Sequence, residues 1–192
     1  MARGYTLLEL LFALALIVIL AAVTVSFVLE GLDRSRASAA ATYIAARLMQ
    51  ARFEAVKRSA FVAVQFAEKS DGYWFQTYID GNGNGVLARD ISRGIDRPLG
   101  PAEQLEQRFT GVTFGICPNV TAVVPGDSFD SADPIQIGQS TLMSFAANGS
   151  STAGSIYIRG TKLNQFAVRV LGVTARSRIL AFDFGAGKWN TR

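Results

Sequence analysis

Three sets of residues in this sequence have types and spacings that could do chemistry. The first is a single carboxylate, Glu9, at the edge of an apolar run, since Leu10 to Leu29 carries no charged residue. An ionisable side chain drawn to the middle of a bilayer costs about 2.5–3.5 kcal/mol. Glu9 therefore either stays wet at the interface or needs a partner charge. The second set is Asp80-Gly81-Asn82-Gly83-Asn84-Gly85. Oxygen ligands at alternate positions, then Gly, match the first six places of an EF-hand calcium loop. The twelfth place should be a bidentate Glu and is Ile91, with Asp90 one place early. Asn and Gly are also what a tight turn needs for positive φ. Two readings stand here, a plain turn and a weak calcium site at Asp80, Asn82 and Asn84. The third set is the basic tail: Arg169, Arg176, Arg178, Lys188 and Arg192, with Trp189 to stack on a base. Cations interleaved with an aromatic ring are the ingredients of a nucleic-acid contact.

Enzyme chemistry finds little support. The chain has no histidine, so the commonest general base and the commonest metal ligand are both missing. Its lone cysteine, Cys117, lacks an activating cation nearby in sequence and reads as a small apolar residue at a strand end. One cysteine also allows no intrachain disulfide. Glu103 and Glu106 sit in a polar, solvated segment. These residues read as a structural and interaction protein rather than an enzyme, with no cofactor expected beyond the calcium alternative.

The elements that must carry these residues begin with the apolar run. Twenty helical residues span roughly 30 Å, the thickness of a bilayer's hydrocarbon core. Residues 31–59 continue the helix outside the membrane, because Ile44, Leu48, Ala51 and Ala55 fall on one face at spacings of 4, 3 and 4. From Ala60 the period changes to two: Val62, Val64 and Phe66 alternate along one strand. Asp71-Gly72 signals a hairpin turn, and Tyr73 to Ile79 is a β-prone second strand. Residues 86–109 read as a surface excursion, Phe109 to Ile116 as a strand, and residues 119–140 as a Pro/Gly/Asp/Ser loop that is solvated or faces a partner. Phe166–Val170 and Ile179–Phe182 form a closing hairpin. Charge follows the same divisions: residues 61–158 hold ten acids against five Lys or Arg, and residues 159–192 hold one against seven.

Gly4-Tyr5-Thr6-Leu7-Leu8-Glu9-Leu10 followed by the apolar run resembles the type IV prepilin signature of pilins and of the pseudopilins of type II secretion. Ala51-Arg52-Phe53-Glu54-Ala55-Val56-Lys57-Arg58 is similar to a block in the GspH/FimT family of minor pseudopilins and minor pilins. The stretch from Phe145 to Ile158 and the two arginines Arg176 and Arg178 resemble that family's C-terminal block, with Ala175 in place of its turn glycine. The resemblance implies an α+β, pilin-like fold in which a long N-terminal helix packs on an antiparallel β-sheet or sandwich domain. It divides the chain into a leader peptide at 1–4, a helix at 5–59 with its transmembrane part about 5–29, and a periplasmic β-rich domain at 60–192. It further implies that a prepilin peptidase cuts after Gly4 and methylates Tyr5, and that Glu9 pairs with a neighbouring subunit's amino terminus in a fibre. The chain would be a single-pass protein of the bacterial inner membrane until assembly. The function implied is a minor pseudopilin at the tip of a type II secretion pseudopilus, its partners being other major and minor pseudopilins, membrane lipid before assembly and secreted cargo. The alternative is a FimT-like minor pilin that binds DNA for uptake through Arg176, Arg178, Lys188 and Trp189.

Overall fold

The computed structural model describes residues 6–126, 129–138 and 140–191. It opens with α1, Leu7–Arg58, one helix of 52 residues and about 78 Å at the usual rise. Thr6 caps its start. Ser59, in the left-handed region at φ 50°, ends it by donating its N–H to the carbonyls of Ala55 and Val56. The helix has two halves. From Leu7 to Leu32 every described side chain is exposed, and from Asp33 onward one stripe is buried. That stripe is Ala37, Ala40, Ala41, Ile44, Leu48, Ala51 and Ala55, each at most 2% exposed. The expected face is there, extended toward the membrane by three alanines whose small side chains let the helix lie close on its support.

Two antiparallel sheets form that support. The strands of the first are β1 (Val62–Lys69) and β2 (Gly72–Ile79), paired from Val62↔Ile79 to Lys69↔Gly72. Gly72 takes the turn's positive φ, 114°. After a short helix α2 (Ala88–Ser92), the two-residue strands β3 (Arg97–Pro98) and β4 (Glu103–Gln104) both pair with β2. A helical turn α3 (Leu105–Arg108) leads to β5 (Thr113–Phe114), and β6 (Ile135–Gln136) follows the long loop. The first sheet closes with β7 (Leu142–Phe145) on the other edge of β1.

A meander builds the second sheet from β8 (Gly154–Arg159), β9 (Gln165–Val170), β10 (Ser177–Asp183) and β11 (Lys188–Thr191). Its order is β11-β10-β9-β8-β5, with β6 also on β8. Phe66, Phe75, Phe114, Ile156, Ile158, Phe166 and Val168 fill the core between the sheets, and α1 lies across β1 and β7 of one sheet and β8, β9 and β10 of the other. Phe114 holds the centre, meeting the rings of Phe66, Tyr73 and Phe75 edge-on at 5.6–6.1 Å between centroids.

Three expectations are corrected, and one finding is added. The strand at Phe109 to Ile116 shrinks to Thr113–Phe114, because Phe109 ends α3 and Gly111 turns the chain at φ 80°. The excursion at 86–109 is anchored rather than superficial: Val86, Asp90, Asp96 and Leu105 are all buried. Ala63, on the opposite face of β1 from Val62 and Val64, is buried as well, under Val86 and Leu142. In the 119–140 loop, Val120, Ile135 and Ile137 are buried, so part of it belongs to the core.

Candidate functional site

The exposed half of α1 is the first functional element. One helix among the described residues is long and apolar enough to cross a membrane, and its apolar window has no buried residue. Within it, the Thr24 hydroxyl donates to the Leu20 carbonyl at 2.8 Å. At its start Thr6 and Glu9 form a reciprocal capping box. The Glu9 N–H donates to Thr6 Oγ1 at 3.3 Å, and Glu9 Oε2 accepts from the Thr6 N–H at 2.9 Å. Thr-x-x-Glu ahead of an apolar run is a helix-start signal in its own right, and it gives Glu9 a local duty before any intersubunit one. Gly4, Tyr5 and the rest of the 1–4 segment lie outside the described residues.

Where the exposed half ends, Asp33 fastens the helix to the second sheet. Its carboxylate is 7% exposed and accepts four hydrogen bonds from the turn between β8 and β9. Oδ1 takes the Thr161 N–H at 2.8 Å and its hydroxyl at 2.6 Å. Oδ2 takes the Lys162 N–H at 3.2 Å and Asn164 Nδ2 at 2.6 Å. Burial alone would raise the Asp33 pKa, but the four donors outweigh it and hold it below the usual value. Gly160 makes room, for a Cβ there would lie 2.5 Å from Asp33 Oδ2.

Two further ties run along the helix. Glu103 on β4 accepts the Tyr43 hydroxyl and pairs with Arg47, while the Arg108 guanidinium lies 4.6 Å from the centre of the Tyr43 ring. Arg52 donates through Nε to the Gly149 carbonyl at 3.0 Å. Glu54 pairs one turn on with Arg58 at 2.6 Å. None of the long-range ties was legible in the sequence, because each joins residues more than fifty positions apart.

The Asp80–Gly85 loop closes on itself. Asp80 Oδ1 accepts from the N–H groups of Asn82 and Gly83, and Oδ2 from that of Gly85, all at 2.8–2.9 Å. Burial raises the Asp80 pKa and these backbone donors lower it further than burial raises it. Asn82 and Asn84 turn their amide nitrogens toward Asp90, and Asp96 accepts from the N–H groups of Gly81 and Leu87. As placed, the Asp80 carboxylate and the Asn82 side-chain oxygen accept from the loop's own N–H groups, which gives the tight turn. Among the described residues no three His, Cys, Asp or Glu side chains converge as a metal cluster. The Cys117 thiol is buried, which pushes its pKa up.

The basic tail is divided by its strands. Arg178 lies opposite Arg169 in the β9–β10 register, and exposed Arg176 precedes β10 by one residue. Lys188 pairs with Asp183 at the far end of β10, five residues and about 17 Å from Arg178. Trp189 is engaged inside the fold. Its ring packs against Phe182 and Tyr157, with centroids 5.1 and 5.9 Å away, and its N–H donates to the Thr121 carbonyl at 2.9 Å. Arg176 and Arg178 are therefore together, Lys188 is apart, and half-buried Trp189 packs one side of its ring on the aromatic cluster. The preceding turn places Ala175 in the left-handed region, at φ 47°.

An unaccompanied apolar helix that runs without a break onto a two-sheet domain defines a membrane-anchored, pilin-like subunit. The chain belongs to the GspH family, whose model, described as type II transport protein GspH, matches residues 40–175. That is well over half of the chain. The model of the prokaryotic N-terminal methylation motif matches residues 1–25. No curated protein and no solved structure matches the chain.

Proposed function

We propose that the chain is a structural subunit placed near the tip of a type II secretion pseudopilus, with its sheet domain in the periplasm. The observation that carries this reading is the exposed apolar half of α1, Leu7 to Leu32, on a helix whose other half buries one stripe against the sheets. Such a surface needs cover. Lipid supplies it in the membrane, and the helices of neighbouring subunits supply it in a fibre. Cleavage after Gly4 would free the amino group of Tyr5. Glu9, four residues on and already at the helix mouth, would then exchange its capping bonds for the amino terminus of a neighbour. The sheet domain would present its surface to other minor subunits and to cargo. The experiment is fibre incorporation of the Glu9→Ala chain, measured as its fraction in sheared fibres against the membrane pool. Loss of incorporation with normal membrane levels supports the reading; unchanged incorporation refutes it.

A second reading, a minor pilin that takes DNA, is favoured by one observation: Arg176 and Arg178 are both exposed at one end of β10 beside Arg169. Phosphate contacts at these residues would weaken steeply with salt. A salt series with duplex DNA, repeated with the Arg176→Ala/Arg178→Ala chain, decides it. Binding lost in the double variant supports DNA uptake, and absence of binding at low salt removes it.

A further inference from the structure

The exit point of α1 fixes which end of the sheet domain meets the bilayer. The charge-free run ends at Leu29, and Asp33 follows four residues later, about 6 Å further along the helix. The headgroup layer is roughly 5–8 Å thick on each side of the hydrocarbon core. The β8–β9 turn is bonded to Asp33 by four hydrogen bonds, so it is held at headgroup depth.

The tip of that turn is Lys162-Leu163. Leu163 is 65% exposed and Lys162 is exposed as well. In an antiparallel meander alternate turns share an end, which brings the β10–β11 turn at 184–187 and the exposed Lys188 to the same level. Exposed Arg34 and Arg36 stand beside them on α1. The acids here are Glu30, Asp33 and Asp183. Asp33 is bonded by the β8–β9 turn and Asp183 Oδ1 accepts the N–H groups of Gly185 and Ala186, which leaves both carboxylates charged. With exposed Arg159 at the end of β8, this end carries five cations against three acids. The opposite end, where Val173 is 91% exposed in the β9–β10 turn, lies about 20 Å away along β9.

We propose that the end formed by the 160–164 and 184–187 turns docks on an anionic lipid surface, with Leu163 entering the headgroup layer and Lys162 and Lys188 facing lipid phosphates. This rests on the membrane-anchored reading above. It fixes the tilt of the domain while the subunit waits in the membrane, and it must be undone for the subunit to leave. An apolar side chain flanked by lysines is the chemistry of interfacial binding.

The test uses the full chain in a Cys117→Ala background, with a nitroxide at Leu163→Cys, Val173→Cys or Leu16→Cys. The chain is reconstituted into phosphatidylcholine vesicles with and without phosphatidylglycerol, and label depth is read from accessibility to oxygen and to an aqueous nickel chelate. Matching tryptophan fluorescence across the variants controls for folding. The expected result is a Leu16 label in hydrocarbon, a Val173 label in water, and a Leu163 label shielded from nickel several-fold more than that at Val173. Phosphatidylglycerol should deepen the shielding, and Lys162→Gln/Lys188→Gln should reverse it by about fivefold per lysine in the docking equilibrium. A Leu163 label as nickel-accessible as the Val173 label, with Leu16 buried in lipid, overturns the docking alone. A water-exposed Leu16 label overturns the membrane reading and the docking with it.

Discussion

Replacing Asp33 by Asn changes almost no volume and removes one charge, so it isolates the tether between α1 and the β8–β9 turn. Four donors converge on the carboxylate, two on each oxygen. An Asn side chain can keep one oxygen and must present an NH₂ group in place of the other, so two of the four donors lose their acceptor. The amide of Asn164 can flip to receive the new N–H, which recovers one contact. The Lys162 N–H cannot, and neither can the Thr161 N–H in the other orientation. One buried donor left unpaired costs about 1–3 kcal/mol, and the surviving bonds weaken with the loss of the charge, so the expected cost is about 2–4 kcal/mol. For a chain of this size that lowers Tm by roughly 5–15 °C. The assay is thermal unfolding in detergent micelles followed by tryptophan fluorescence, since Trp74 and Trp189 both lie in the sheet domain. The pH dependence has a definite sign. The Asp33 pKa is lowered in the folded chain, so its stabilisation is complete above the unfolded value, about 4, and is lost as pH falls through the lower folded value. The gap between wild type and Asp33→Asn should be constant from neutral pH down to about 5 and close in stronger acid. Equal Tm values at pH 7, or a gap that does not close in acid, would refute the tether.

Gly160→Ala should destabilise through the same bonds, because its Cβ would lie 2.5 Å from Asp33 Oδ2. The expected cost is about 2 kcal/mol, and in a double-mutant cycle with Asp33→Asn the two should be clearly less than additive. Ala175 occupies a left-handed turn with its methyl 7% exposed. Ala175→Gly relieves about 1–2 kcal/mol of backbone strain while losing about 0.8 kcal/mol of methyl burial and a similar amount of chain entropy. Its denaturation midpoint should therefore stay within about 1 kcal/mol of wild type, whereas Ala175→Val should fall well below.

Periodicity carried most of the fold. Ile44, Leu48, Ala51 and Ala55 mark their helix face because burial recurs once per turn, and Phe166–Val170 marks β9 because branched and aromatic residues crowd it. What escaped lacks such repetition. Lys188-Trp189-Asn190-Thr191 is a four-residue edge strand with one apolar residue, recognisable only once Phe182 is opposite Trp189. Asp90 and Asp96 resemble surface charges in sequence and are buried because the N–H and amide groups of their own loop pair with them. Asp33 sits amid helix-surface arginines, and nothing local announces a partner 128 residues away. The Asp80 loop was legible as two alternatives, and its backbone donors supply the geometry of the turn. Trp189, read from the sequence only as an aromatic ring in a basic tail, also joins an aromatic cluster with Tyr157 and Phe182 that no local pattern announces.

The ties along α1 bear on how such a subunit could move. Asp33 holds the helix at the β8–β9 end of the second sheet, Glu103 grips Tyr43 and Arg47 from the first, and Arg52 reaches Gly149 at the far end. Asp33 and Arg52 lie nineteen residues apart, about 28 Å of helix, with the alanine stripe packed between them. A rod pinned at both ends and in the middle cannot pivot on its sheets. Any displacement of the exposed half along its axis must carry the whole domain with it, so the compliant part of the chain is the apolar helix before Asp33, where β-branched residues at 23–28 and Gly31 have low helix propensity. Under the proposed membrane anchoring, lifting the subunit would move the sheet domain as one body, and the resistance would lie at the proposed lipid contact rather than within the fold.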